Sequence, residues 1–241
     1  IYGSAANANN AFITKPGYPI ASFYGYKYIG VFQSEEELAK YPHLSGDKVG
    51  DGRYEDVNKD GVLDQNDKTI LGDNNPLFTA GFSNSFSYKN FTLDIQFTGS
   101  YGAEVFSFYK RMCGIYHGDR NGMIEQLGRW QSKDQPGDGI HFRPTRTPSG
   151  WQRDPSSAWV QDASYLRLRN LTLGYNFDQK VLDKMKMKGL RLYVTGQNLF
   201  TITNYVGYDP ETSSESGLAQ GGDYLGYPAA RSFIIGANIT F

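Results

Sequence analysis

The stretch Phe78-Thr79-Ala80-Gly81-Phe82-Ser83-Asn84-Ser85-Phe86-Ser87-Tyr88, followed by Lys89-Asn90 and then by Phe91-Thr92-Leu93-Asp94-Ile95-Gln96-Phe97-Thr98-Gly99-Ser100-Tyr101, decides the fold. Its residues sort by parity. Phe78, Ala80, Phe82, Phe86 and Tyr88 share one face, with Asn84 the polar exception, and Thr79, Gly81, Ser83, Ser85 and Ser87 share the other. Beyond Lys89-Asn90, Phe91, Leu93, Ile95, Phe97 and Tyr101 alternate with Thr92, Asp94, Gln96, Thr98 and Ser100. A period of two is the signature of a strand, and a connection of only Lys89-Asn90 makes the pair a hairpin.

The same pattern recurs along the chain. In the stretch 231–241, Phe233, Ile235, Ala237, Ile239 and Phe241 alternate with Ser232, Ile234, Gly236, Asn238 and Thr240. A strand near 190–199 carries Leu190, Leu192 and Val194 on one face. In the stretch 163–177, Leu171, Leu173, Tyr175 and Phe177 are in phase, but Leu166 and Leu168 are in the opposite phase. That slip predicts a β-bulge near Arg169-Asn170, because one extra residue exchanges the two faces. The aromatic stretch 22–32, broken by Gly25 and Gly30, reads as a sixth strand.

The connections alternate in length. Segments 33–77, 102–162 and 200–230 are long, whereas 89–90 and 178–189 are short. In an up-and-down sheet, alternate connections lie at opposite ends, so the long loops gather at one end. An outer-membrane barrel has this segregation, and strands of about 9–11 residues cross its hydrocarbon layer. The second faces of Ser, Thr, Asn, Gln and Asp suit a wet lumen better than a packed core. A soluble sandwich with one face in water shares the alternation, though it has no reason to segregate its loops.

Composition agrees with a β protein and narrows the function. The chain has 241 residues, a net charge of -1, 28 Gly and 15% aromatic residues, too rich in both for a helical bundle. The balanced charge lacks the basic footprint of a nucleic-acid binder. Mean hydropathy is -0.53, as expected where half of each strand faces water. One cysteine, Cys113, excludes an internal disulfide framework.

The sharpest local motif is Asp56-Val57-Asn58-Lys59-Asp60-Gly61-Val62-Leu63-Asp64-Gln65-Asn66-Asp67. Oxygen side chains fall at loop positions 1, 3, 5, 9 and 12, with Gly at 6 and an apolar residue at 8, the pattern of a twelve-residue calcium loop. Asp56, Asn58, Asp60 and Asp67 would supply side-chain oxygens, Val62 its carbonyl, and Asp64 an oxygen directly or through water. Position 12 is Asp67 where the pattern has Glu, and the flanks do not read as helices, so the motif is a calcium loop with a structural role. A metal-free Asx-rich turn is the competing reading.

No catalytic constellation appears. His43, His117 and His141 lie in long loops without metal-ligand spacing, and no nucleophile elbow, zincin or phosphate-loop motif occurs, so an enzyme is not expected. The loops also hold Trp130, Trp151, Trp159, Tyr208 and Tyr224, which would either meet a substrate or pack the loops together. Glu35 to Lys40 and Asn121 to Gln131 look like short helices.

The sequence resembles the SusC-like (RagA-like) TonB-dependent outer-membrane transporters of Bacteroidetes, in their C-terminal part. The resemblance rests on Gly17-Tyr18-Pro19-Ile20 through Phe23-Tyr24-Gly25-Tyr26, on Gly30-Val31-Phe32 and on Asp56 to Gly61. It continues in Ser164-Tyr165-Leu166-Arg167-Leu168-Arg169-Asn170-Leu171-Thr172-Leu173-Gly174-Tyr175, in Gly196-Gln197-Asn198-Leu199-Phe200, and from Tyr227-Pro228 to Phe241. It implies an all-β fold: an antiparallel transmembrane β-barrel segment, about six strands of a roughly 22-stranded barrel with long extracellular loops. It also implies a multi-pass protein in the outer membrane of a Gram-negative bacterium, importing oligosaccharides or peptides. Its partners would be outer-membrane lipid, the remaining N-terminal barrel and plug of the same transporter, a SusD-like surface lipoprotein as lid, and TonB through the N-terminal part. Six strands cannot close such a barrel, and neither a plug nor a signal peptide is seen, so a segment of a larger protein is expected. The alternative is a soluble calcium-stabilised β-sandwich binding module or adhesin.

Overall fold

The computed structural model describes residues 2–5, 8–114, 121–145, 154–212 and 216–241. In chain order its strands are β1 (Tyr2–Ala5), β2 (Ala8–Ile13), β3 (Ser22–Gly25), β4 (Tyr28–Val31), β5 (Gly52–Tyr54), β6 (Thr69–Gly72), β7 (Phe78–Tyr88), β8 (Phe91–Tyr101), β9 (Glu104–Ser107), β10 (Val160–Asp162), β11 (Tyr165–Asn176), β12 (Gly189–Thr203), β13 (Gly222–Asp223) and β14 (Ser232–Thr240). The helices are α1 (Glu35–Lys40), α2 (Phe108–Gly114) and α3 (Gln179–Met185). The chain divides into two compact units. A sheet unit comprises Pro76–Ala103, Ala163–Pro210 and Tyr227–Phe241, and a loop unit comprises Ile1–Asn75, Glu104–Asp162 and Glu211–Gly226.

The sheet unit is one five-stranded antiparallel sheet in the order β14-β12-β11-β8-β7. β7 and β8 pair without interruption from Phe78↔Tyr101 to Tyr88↔Phe91. Their turn puts Lys89 at φ 53, and the Asn90 side chain donates to the Asn176 carbonyl at 2.7 Å. The pairs Phe78↔Tyr101, Tyr165↔Ser100 and Tyr165↔Thr203 bring one set of strand ends together, and every long connection leaves or rejoins there. An eleven-residue strand tilted near 45° rises about 25 Å, the height of a lipid-facing band.

The two faces differ as the alternation demands. Phe82 is 56% exposed, Phe233 75% and Ile235 84%, so the apolar face is left uncovered. On the polar face, Ser85 Oγ donates to Asp94 Oδ1 at 2.6 Å, Thr172 and Thr195 hydroxyls meet at 2.8 Å, and Arg191 Nη2 donates to Thr92 Oγ1 at 3.1 Å. A sandwich would bury one face against a second sheet, and the open apolar face argues against that alternative. The slip of phase is a bulge: β11 shifts register between Leu168 and Asn170 against both β8 and β12.

The stretch 22–32 corrects the sequence reading. It is no sixth strand of this sheet but two short strands of the loop unit, β3 in the sheet β1-β2-β3-β6 and β4 paired with β5. Phe23, Tyr26, Val31 and Phe32 are at most 4% exposed. Gly25 lies so close to Pro155 that a Cβ there would fall 2.1 Å from the Pro155 carbonyl oxygen. This aromatic run therefore puts its buried rings into a core of the loop unit instead of a barrel wall.

The long connections are accordingly not bare loops. Phe12, Phe23, Phe106, Phe108, Phe142 and Trp159 meet in one core, with Phe12 edge-on to Phe23 at 5.7 Å and Phe106 to Phe108 centroids at 5.1 Å. Each fully buried aromatic contributes about 2 kcal/mol of transfer free energy, which holds together segments far apart in sequence. Helix α1 forms where expected, capped by Ser34, whose Oγ accepts from the Glu37 N–H at 3.2 Å. Over 121–131 only a 3₁₀ turn forms, Ile124–Gly128, and Gly122 and Gly128 are poor helix formers. α3 inside the short connection 178–189 was not anticipated.

Candidate functional site

The loop 56–67 folds as a tight, internally bonded turn. Gly61 N–H donates to Asp56 Oδ2 at 2.9 Å, Asp60 N–H to Asn58 Oδ1 at 3.0 Å and Val62 N–H to Asp60 Oδ1 at 2.9 Å. Gly61 sits at φ 81, where a Cβ would meet nothing within 4 Å, so its presence answers to backbone conformation alone. Asp67 is wholly buried and accepts the N–H groups of Val57 and Asp64 at 2.9 and 2.8 Å. Asp64 caps the following 3₁₀ turn through the Asn66 N–H. Leu63 packs with Tyr26 and Tyr54 and anchors the turn. Among the described residues, no three His, Cys, Asp or Glu side chains are gathered to hold a metal ion. Asp56 Oδ1 is buried and has no partner. The donors are all hard oxygens, which fits calcium chemistry, and that orphaned oxygen is the one observation that asks for a cation.

The five loop aromatics part ways. Trp151 lies outside the described residues. Trp130 is half-buried against the core, and a Cβ on Gly50 would fall 2.5 Å from its ring. Tyr224 is half-exposed and stands edge-on to Phe108 at 6.2 Å. These two pack the loop unit.

Trp159 and Tyr208 line cavities. Trp159, 3% exposed, borders a cavity of about 190 Å³ together with Tyr28, Gln126, His141, Phe142 and Lys110. Its indole Nε1 and the Gln126 Oε1 are both buried without a partner. At the cavity's edge His141 Nδ1 donates to Asp138 Oδ2 at 2.6 Å, and His141 Nε2 lies 3.8 Å from Glu125. Partial burial pushes the Asp138 carboxyl up, but the N–H groups of Ile140 and His141 and the His141 ring outweigh it and hold it below the usual range. Burial, and then the charge of Asp138, pushes the Tyr28 phenol up, so it stays protonated and donates to the Ile140 carbonyl.

Tyr208, 66% exposed, flanks a polar cleft of about 280 Å³ in the sheet unit, with Asn198, Thr201, Asp209 and Arg231. Its floor is the pair Arg167 Nη2–Asp209 Oδ1 at 2.6 Å. Sequence reasoning missed this pair and the Glu125–His141–Asp138 group. Arg167 stood only within the stretch that carries the family resemblance, and nothing local ties it to a residue in the connection after β12.

No protein-family model matches the chain. The TonB-dependent receptor P3 of Formosa agariphila is 35% identical over 95% of the chain, which spans 23% of that protein. The TonB-dependent receptor SusC of Bacteroides thetaiotaomicron is 27% identical over 94% of the chain, which spans 20% of it. A solved structure of the RagAB peptide transporter shares the fold with a TM-score of 0.74 at 22% identity, over 96% of this chain and 24% of that one. The RagAB peptide importer in its open-open state gives 0.73 at 23% identity. The chain thus spans about a quarter of the length of these relatives. The sheet is a segment of antiparallel barrel wall, and in sequence the chain is similar to a segment of the TonB-dependent receptors, SusC among them.

Proposed function

We propose that this chain is part of the wall and outer loops of an outer-membrane importer of nutrients, driven through TonB. The observation that carries the reading is the two-faced sheet. An uncovered face of Phe, Leu and Ile backs onto a face of Ser, Thr, Asp and Arg, and all long connections meet at one end. A lipid-facing surface and a wet interior account for both faces, and the segregated loops account for an outside and a periplasmic end. The relatives are named receptors and importers, not enzymes, which supports import over catalysis. A SusD-like surface lipoprotein closing the mouth and cargo of oligosaccharide or peptide belong to the same reading. The test is extraction of the full-length protein. It should leave the membrane only with detergent and migrate on gels in a heat-modifiable way, and deleting its gene should abolish growth on one polymeric nutrient. Release into buffer without detergent sinks the reading.

We infer further that the 56–67 loop binds calcium structurally, through Asp56, Asn58, Asp60, Asp67, the Val62 carbonyl and Asp64. The buried, unpartnered Asp56 Oδ1 supports it. The ion would fix a turn whose ordering costs about 1–2 kcal/mol per residue of backbone entropy. It would take no part in transport chemistry.

A further inference from the structure

We propose that the end of the sheet unit that carries the short connections binds the anionic headgroups of membrane phospholipids. The charges of this unit are sorted along the strands. Its five lysines are Lys89, Lys180, Lys184, Lys186 and Lys188, and all of them lie in the connections 89–90 and 178–189. Every one is exposed, and none has an ion pair among the described residues. The carboxylates between them are taken by amides: Asp178 Oδ1 accepts from Asn90 Nδ2 at 2.7 Å, and Asp183 Oδ1 from Gln179 Nε2 at 2.8 Å. The arginines of the strands behave differently. Arg167 is paired with Asp209, Arg169 donates to Thr98 and Arg191 to Thr92.

The two connections are neighbours, since the Asn90 side chain reaches both the Asn176 carbonyl and Asp178. Lys89 therefore stands beside the connection that carries the other four lysines. This end of the sheet thus holds a cluster of ammonium groups that nothing in the protein neutralises.

Apolar side chains accompany the charge. In α3, Leu182 is buried and anchors the helix, while Val181 and Met185, one turn apart on the same side, are 40% and 46% exposed. Lys180 and Lys184 share the adjoining side at the same spacing. Tyr88, at the end of β7, is 71% exposed, and Lys89 Nζ lies 5.4 Å from its ring centroid. Exposed apolar and aromatic groups beside unpaired lysines fit the boundary between hydrocarbon and headgroups. A lysine stem lies along apolar surface while its ammonium reaches a phosphate, and each lysine near an anionic surface contributes about fivefold in affinity. A soluble acidic partner would use the charges but would leave Val181 and Met185 without a role. The inference rests on the reading of the sheet as barrel wall, which makes this the periplasmic end.

The test uses the detergent-purified full-length protein in micelles doped equally with phosphatidylglycerol and phosphatidylcholine, with retained lipid read by native mass spectrometry. Phosphatidylglycerol should be retained about tenfold over phosphatidylcholine. The preference should vanish when Lys180, Lys184, Lys186 and Lys188 are all replaced by Gln. It should survive the same replacement of Lys15, Lys40, Lys48 and Lys133 in the loop unit. In vesicles, phosphatidylglycerol should shield the first four lysines from acetylation and leave the second four reactive. Equal retention of the two lipids, a preference that outlasts loss of the first four lysines, or equal loss in both variants overturns the proposal. A protein that needs detergent yet shows no headgroup preference removes this site and leaves the importer reading standing, whereas release without detergent removes both.

Discussion

Arg167 on β11 and Asp209 in the connection after β12 form a buried ion pair, Nη2 to Oδ1 at 2.6 Å, with side chains only 4% and 10% exposed. The pair is fully seated: Arg167 Nε donates to Thr201 Oγ1 at 2.8 Å, and Asp209 Oδ2 accepts the Ala229 N–H at 3.0 Å. It ties three segments of the sheet unit together at the open end of the strands.

Removing one partner should cost more than removing both. Asp209→Ala strands a buried guanidinium and should destabilise the folded protein by about 3–5 kcal/mol, read as a lower temperature for loss of heat-modifiable migration. Arg167→Met combined with Asp209→Leu should recover most of that loss. Equal midpoints for the single and double variants would show that the pair is not buried as described.

The calcium loop is checked by protease. Chelation should open segment 33–77 to cleavage in the parent protein, while Asp56→Ala with Asp60→Ala should be cleaved equally with and without chelator. Cleavage of the parent that ignores chelator removes the metal.

Glu104 should make the loop unit's stability pH-dependent. Burial pushes its carboxyl up, a hydrogen bond from the Asp73 N–H pulls it down, and the charges of Asp73 and Asp162 raise it further, with a net rise. A raised carboxyl favours the protonated form in the fold. Its contribution is therefore complete below the unfolded value and is lost as pH rises through the raised one. Glu104→Gln should raise the melting midpoint at pH 7 and leave it nearly unchanged at pH 4. A shift of equal size at both pH values would refute this assignment.

Arg169 is the extra residue of the β11 bulge. Deleting it leaves Leu168 and Leu171 on the apolar face and Arg167 and Asn170 on the polar one, so the protein should still insert. Deleting Thr172 instead reverses every side chain on one flank and should abolish insertion. Membrane fractionation distinguishes the two.

How much was legible follows from these same residues. The hairpin, the segregated connections and the Arg169 bulge were all visible, because a single extra residue inverts parity. β12 carries an irregularity of its own, since Asn170 pairs with Gln197 and Leu168 with Phe200, leaving Asn198 and Leu199 opposite Arg169. Two inserted residues preserve parity, so Val194, Phe200 and Ile202 stay in phase and alternation cannot reveal them. The Ser22–Phe32 error has the opposite cause: an aromatic run looks alike facing lipid or facing a core, and only contacts distant in sequence separate the two. The same non-locality hid Asp209 from Arg167 and Gln126 from Trp159.

The loop-unit core draws Phe23 from the excursion before β7, Phe106, Phe142 and Trp159 from the excursion 102–162, and Ala219 from the excursion 200–230. No single excursion owns this core. A chimaera that exchanges one of them with a relative would bring a mismatched third of a jigsaw, whereas exchanging all of them together would carry an intact body. Diversification of the loop unit should therefore proceed in whole sets, with the sheet unit left as a reusable frame.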